Sequence, residues 1–489
     1  MTKYILNNWY IRYGFFPVIL SSALFFAYYY QFIPTSIAGS IEIDITKDMG
    51  SKASISKASI SRSLGYPYLM WFTSTFSDDI LVLRFFQLFL FSFSIVVLSR
   101  EFYLLTKSKL MSYLLGISIF LNVKVSKYCF AITEEALFIP LIIIVTSLII
   151  RVCRNLNIGN IILLSIVVGL LASTRPIGVV FIPALLIIFL LNLPRIKRKY
   201  LLYLGALMTP FIVLTISENY LYLLHAESDH RSRTIGVNLI GKVPQIAVNK
   251  PESSFYASLS DLIYEKGVVI RKIINSQDSF ALKQYFRNVL AVEYHDLGSM
   301  DEDLSNEIGR YAKEQKYHSR EEVTQGIFIE YLKENFIKYF QITALNYVAN
   351  WQLSEVLTRS DLSKLKEFTN SKLYKSMPKS MNIRLDHHIN TLTRHAIYAI
   401  YAKIFMFILF IITNIMLILG LFKFFNSADK SEVSPFVLLS IVLPLSLHGY
   451  FLAISLIINV QMRFILTFWP IMMVIFIIAL SKMVKIRKA

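Results

Sequence analysis

The chain has 489 residues, 55% of them hydrophobic and 14% aromatic, and its mean hydropathy of +0.54 is too high for a soluble protein of this length. Apolar runs of about 20 residues cross a hydrocarbon core of roughly 30 Å as helices, and only helices or closed barrels satisfy the backbone there. The runs here are continuous and do not alternate, so an all-α polytopic membrane protein is expected; the net charge of +18 gathers at the ends of apolar runs on alternate sides, which fits the positive-inside rule and speaks against a nucleic-acid partner.

Lys3 and Arg12 precede a first run, Gly14 to Ile33, which is long enough to span and has no small-residue cleavage site after it. The N-terminus is therefore expected in the cytoplasm and the loop from 34 to 79 outside. Ile80 to Ser99 returns to Arg100, Lys107 and Lys109; Leu110 to Val123 goes out to a short loop, NVKVSKYCFAITEE; Ala136 to Ile150 comes back to Arg151 and Arg154. Asn160 to Ser173 and Ile177 to Leu193 are separated by Thr174-Arg175-Pro176, and the second ends at the RIKRK cluster, the strongest orientation signal. Leu201 to Ile216, Ile404 to Phe422, Phe436 to Ile458 and Phe464 to Ser481 complete about ten spans, with both termini cytoplasmic.

This pattern divides the chain into an N-terminal transmembrane module over 1–217, a mostly helical extracytoplasmic insert over 218–394, and a C-terminal transmembrane module over 395–489. Within the insert, Ser319-x-x-Glu322 reads as a capping box opening one long helix, EEVTQGIFIEYLKENFIKYFQITALNYVANWQ. Its aromatic residues (Phe328, Tyr331, Phe336, Tyr339, Phe340, Tyr347, Trp351) pack on the insert's own core or lie at headgroup level beside a substrate groove. Cys129 and Cys153 fall near opposite faces of the bilayer, too far apart for a disulfide. His387, His388 and His395 have no matching cysteine or acidic cluster and read as surface histidines.

The stretch from Ser40 to Asp79 is the most unusual. It brings Glu42, Asp44 and Asp48 together with Lys47, Lys52, Lys57 and Arg62 ahead of a Gly65-Tyr66-Pro67 turn. Three further motifs follow in order: AITEEALFIPLIII from Ala131, GLLASTRPIGVVFIPALL from Gly169, and NVQMRFILTFWPIM from Asn459. In that order the four resemble the GT-C superfamily of membrane glycosyltransferases, a group that includes protein O-mannosyltransferases and lipid A aminoarabinose transferases. The resemblance covers the membrane part and hardly touches the insert.

It implies a GT-C-like fold and an inverting glycosyltransferase. Such an enzyme takes a sugar from a polyprenyl-phosphate donor at the extracytoplasmic face and passes it to a glycan, lipid or protein acceptor. It implies a carboxylate base soon after the first span, here Asp44 or Asp48, with Asp44 nearer the family's spacing; Lys and Ser follow these residues where the family often has an aromatic. Cations would steady the leaving phosphate, and Arg62, Arg175 and Arg463 qualify. Arg175 stands out, because an arginine between two apolar runs is costly without a cavity or partner. Glu134 and Glu135 sit where the family often has an acidic residue that positions the acceptor or binds a divalent metal; charge at a helix N-terminus is the plain alternative. Arg84, inside the second span, is expected to meet a carboxylate in the bundle. A bacterial inner membrane is the expected site, since the outer loops hold no Asn-x-Ser/Thr sequon. Two other readings stand beside this one: an outer-face polysaccharide polymerase of the O-antigen type, and a transporter or flippase for lipid-linked sugars.

Overall fold

The structure, a computed structural model, describes residues 15–30, 65–77, 79–196, 199–225, 239–252, 256–295, 302–314, 320–353, 357–375, 396–457 and 462–486. Among these the chain is all-helical. It divides into two compact units, one of Met1–Arg231, Ile411–Tyr450 and Leu466–Ala489, the other of Ser232–Phe410 and Phe451–Ile465.

The first unit holds α1 (Phe16–Tyr29), α2 (Gly65–Ser74), α3 (Ile80–Thr106), α4 (Lys109–Phe120), α5 (Val123–Phe130), α6 (Glu135–Arg154), α7 (Ile158–Thr174), α8 (Phe181–Ile196) and α9 (Tyr200–His225). Helix α6 is its axis and is almost wholly buried. Its two central hydroxyls turn inward on the helix itself, Thr146 donating to the Ile142 carbonyl and Ser147 to that of Ile143, both at 2.7 Å. Neither hydroxyl is thereby left bare in the apolar interior. Asp79 caps α3 by accepting from the Leu81 amide at 2.8 Å, and α3 ends where Lys107 takes a left-handed conformation, φ 56°.

Where they are described, the ten apolar runs are largely helical, but the described residues give six helices long and apolar enough to cross a membrane: Ile80–Thr106, Glu135–Arg154, Pro176–Ile196, Tyr200–Ser217, Ala399–Phe425 and Pro435–Leu456. Phe16–Tyr29, Ile158–Thr174 and Trp469–Lys482 are shorter apolar helices. The expected third span and the loop after it are a bent pair, α4 and α5 meeting at 59°. The loop is helical because Asn122 starts a new helix, its Oδ1 accepting from the Val125 amide at 3.1 Å.

The second unit contains α10 (Val243–Ile246), α11 (Ala257–Asn275), α12 (Phe280–His295), α13 (Glu302–Glu314), α14 (Arg320–Glu334), α15 (Phe336–Trp351), α16 (Arg359–Thr369) and α17 (Lys372–Lys375). The single long helix expected over the aromatic stretch is two, α14 and α15, because Asn335 spends its side chain elsewhere. Its Oδ1 accepts from the amides of Val248 and Asn249 at 3.1 and 2.8 Å, and its Nδ2 donates to the Asn249 carbonyl at 2.8 Å. Phe328, Tyr331 and Tyr339 join the unit's core with Ile263, Phe286 and Leu365, while Phe336 and Phe340 are exposed. Ser319 lies outside the described residues; a complete capping box stands instead at Thr358 and Asp361, with Ser279 also donating to Asp361 at 3.0 Å.

The remaining helices are α18 (Ala396–Phe425), α19 (Pro435–Ile457), α20 (Met462–Thr467) and α21 (Trp469–Ile486). Unit boundaries fall within α18, α19 and α20. Pro470, with no amide hydrogen, sits in the first turn of α21, the place where a helix restarts after a break.

Candidate functional site

Pro176 fixes the local geometry from which the site is built. A proline drives the residue before it out of the helical region, so α7 stops at Thr174 and Arg175 is extended, φ −147° and ψ 132°. A 3-10 turn over Pro176–Val180 then leads into α8, folded so closely on α7 that a Cβ on Gly178 would lie 2.7 Å from the Ala172 nitrogen. Arg175 is thus held between two helices, with its side chain buried.

There it meets the start of α6. Its Nη1 donates to Glu135 Oε1 at 2.9 Å, and its Nε stands 3.5 Å from Glu134 Oε2. The Phe138 ring covers the guanidinium, Cζ to centroid 5.5 Å. Glu135 is 6% exposed at its side chain and Glu134 19%, so Glu134 is the more open of the two and the farther from Arg175. Among the described residues one cation faces two carboxylates here, and these three side chains together carry −1.

The Gly65-Tyr66-Pro67 segment joins the same place. A Cβ on Gly65 would lie 2.8 Å from Thr174 Oγ1 and 2.9 Å from the Ser173 carbonyl oxygen, so only glycine allows α2 to start against the end of α7. Tyr66 packs with Leu83, Ile132 and Ala136, and Gln87 Nε2 donates to the Tyr66 hydroxyl at 2.6 Å. Gln87 is fully buried in an apolar helix, and a lone amide in such a run is the sequence signal that points to it. From the last motif, Phe468 stacks on Phe181 at 5.4 Å and on Tyr450 at 3.5 Å.

Arg84 stands over the Phe130 ring at 4.8 Å, and no carboxylate pairs with it among the described residues, contrary to the expectation of a partner in the bundle. Phe130 also stacks on Tyr28 at 4.8 Å, whose hydroxyl shares a hydrogen with Ser126 Oγ at 2.7 Å.

Of the expected site residues, the fold brings together Glu134, Glu135 and Arg175. Asp44, Asp48 and Arg62 lie outside the described residues, as do His387, His388 and His395. Arg463 lies on α20, its side chain outside the description. Cys129 and Cys153 are separate buried free thiols. The Glu134–Glu135 pair does not fit a divalent cation: a guanidinium already lies between the carboxylates, and the described residues offer no group of three or more His, Cys, Asp or Glu. No protein-family model, curated protein or solved structure matches the chain.

Proposed function

We propose that the chain is an inverting glycosyltransferase that moves a sugar from a polyprenyl-phosphate donor to a glycan, lipid or protein acceptor. The observation that carries this reading is the meeting of Gly65-Tyr66-Pro67, Glu134-Glu135 and Thr174-Arg175-Pro176 at one buried point. These are three of the four motifs on which the resemblance to GT-C enzymes rests, and they are far apart in sequence.

The chemistry divides as follows. A carboxylate of the first outer loop, Asp44 or Asp48, takes the proton from the acceptor hydroxyl as its oxygen attacks the anomeric carbon. The carbon–oxygen bond to the phosphate breaks, and the electron pair leaves with the phosphate. The charge balance of the buried cluster sets the part played by Arg175. Its guanidinium is matched by two carboxylates, so a phosphate there would meet a net negative site and would have to displace one of them. Arg175 therefore acts as a positioning residue that fixes Glu135 and holds Glu134 toward the acceptor. The leaving phosphate falls to Arg62 and Arg463. The reading carries with it an extracytoplasmic site in a bacterial inner membrane, with both termini in the cytoplasm.

The test is transfer of radiolabelled sugar from polyprenyl-phosphate donors by the full-length protein in nanodiscs. Asp44→Asn or Asp48→Asn, whichever is the base, is expected to lower turnover by about a hundredfold or more with donor binding kept. Glu134→Gln is expected to raise the acceptor KM while sparing donor affinity. Full transfer activity in both Asp variants would remove the loop from the chemistry and sink this mechanism.

A further inference from the structure

At the far end of α6, about 30 Å from Glu135 at 1.5 Å per residue, stands a second charged cluster of opposite balance. Glu101 of α3 is 1% exposed at its side chain. Arg151 grips its Oε1 with both Nε and Nη2, at 3.1 and 2.7 Å; Arg154 Nη2 donates to Oε2 at 2.7 Å; Arg100 Nη1 donates to Oε1 at 3.2 Å. Three cations share one carboxylate, for a net charge of +2. The three arginine side chains are between 27% and 37% exposed, and Arg154 Nε is buried with no hydrogen-bond partner.

A purely structural staple for Glu101 needs fewer cations. Arg151 and Arg154 already give each carboxylate oxygen a charged partner, yet Arg100 brings a third cation, and parts of all three guanidinium groups stay exposed. The carboxylate instead serves to hold three guanidinium forks side by side, in the planar, multi-donor geometry that suits a phosphate. The helices carrying them, α3 and α6, are both long and apolar enough to cross a membrane, so their shared end lies at headgroup level. Next to it, α4 is tied to α3 by a hydrogen bond from Ser112 Oγ to the Ser99 carbonyl, one residue before Arg100. Helix α4 turns Leu110, Tyr113, Leu114 and Ile117 outward, an apolar stripe at helical spacing along which acyl chains can lie.

We infer that Arg100, Arg151 and Arg154, organised by Glu101, form a binding site for the phosphate of an anionic phospholipid. The site is independent of the glycosyltransferase reading and would stand if that reading fell.

The experiment uses the full chain in nanodiscs of phosphatidylcholine with and without phosphatidylglycerol, scoring lipid affinity by native mass spectrometry and thermal unfolding. Wild type is expected to retain phosphatidylglycerol and to unfold at a higher temperature with it. Arg100→Gln/Arg154→Gln keeps the bidentate Arg151–Glu101 pair and brings the cluster to neutrality, and it is expected to bind phosphatidylglycerol about thirtyfold more weakly, roughly fivefold for each charge removed. Should the double variant fail to fold, Arg100→Gln alone removes the cation with the longest bond to Glu101 and is expected to give the fivefold step. Equal affinity in wild type and variants, or equal retention of phosphatidylcholine and phosphatidylglycerol, would overturn the inference. Equal stabilisation by inorganic phosphate in phosphatidylcholine discs would overturn the lipid as the source of the phosphate.

Discussion

The two ends of α6 solve the same problem in opposite ways. At its start one arginine faces two glutamates, and at its finish one glutamate faces three arginines. Each choice agrees with the helix dipole, which favours carboxylates at the N-terminus and cations at the C-terminus. The dipole alone accounts for tenths of a kcal/mol, however, and neither cluster is neutral. The difference teaches that the buried ion in each cluster is an organiser: Arg175 holds carboxylates in place, and Glu101 holds guanidinium groups. What each end presents outward has the sign of the organised groups.

The sharpest way to break this comparison is to remove an organiser. Glu101→Gln leaves three adjacent cations with no counter-charge and is expected to cost about 3–5 kcal/mol, the range for stripping one partner from a buried ion pair. Loss of most of the unfolding transition in detergent would show it, whereas a near-normal transition would mean that Glu101 organises nothing. Arg175→Gln is the matching change at the other end. There Glu134 is partly open and one of the two carboxylates can take up a proton, so the expected cost is smaller, about 2–3 kcal/mol. A larger loss at Arg175 than at Glu101 would reverse the ranking.

A third buried ion, Lys242 in the second unit, sharpens the contrast because no carboxylate pairs with it among the described residues. Lys242 is fully buried; its Nζ donates to the Leu456 carbonyl at 2.8 Å and to that of Ser455, and it faces the Tyr339 ring at 5.7 Å. It therefore closes the last turn of α19, where free carbonyls and the dipole welcome a cation. Burial pushes its ammonium from 10.5 down to about 7. The sign follows from linkage. Between pH 10.5 and 7 the unfolded chain holds a proton that the folded chain does not, so stability falls as pH drops through that window and is level below it. Wild type is expected to be more stable at pH 9 than at pH 7 by about 2 kcal/mol from this group, and Lys242→Met is expected to lose that slope. A slope unchanged by Lys242→Met would show that the lysine stays charged when folded.

Much of this was written in the sequence. Hydropathy alone gave a helical membrane protein, since an apolar backbone segment without water must satisfy its own hydrogen bonds. Proline marked the break at Thr174-Arg175-Pro176, whereas Asn122, inside the run expected to reach Val123, starts a new helix that the apolar pattern did not show. Asn335 was passed over, because an asparagine inside an amphipathic run breaks the helix only when other amides are there to take its side chain, and Val248 and Asn249 lie far away in the chain. Arg175, Glu134 and Glu135 were singled out one by one as charges against apolar runs. Their pairing was not legible, and it changes the part assigned to Arg175 from phosphate binding to holding carboxylates. Glu101, in a run that read simply as the end of a span, was missed altogether.

What only the tertiary structure decided is which apolar helices are interior. Helices α6 and α9 read alike, yet α6 is enclosed while α9 turns Leu201, Leu202, Ile212, Val213 and Ile216 outward. Lipid tails are as apolar as leucine, so in a bilayer the hydrophobic effect does not distinguish a buried face from an exposed one. Packing and the few charged side chains make that choice. On α6 they are Glu135 at one end and Arg151 and Arg154 at the other, each fixed by a partner that its neighbours in sequence do not reveal.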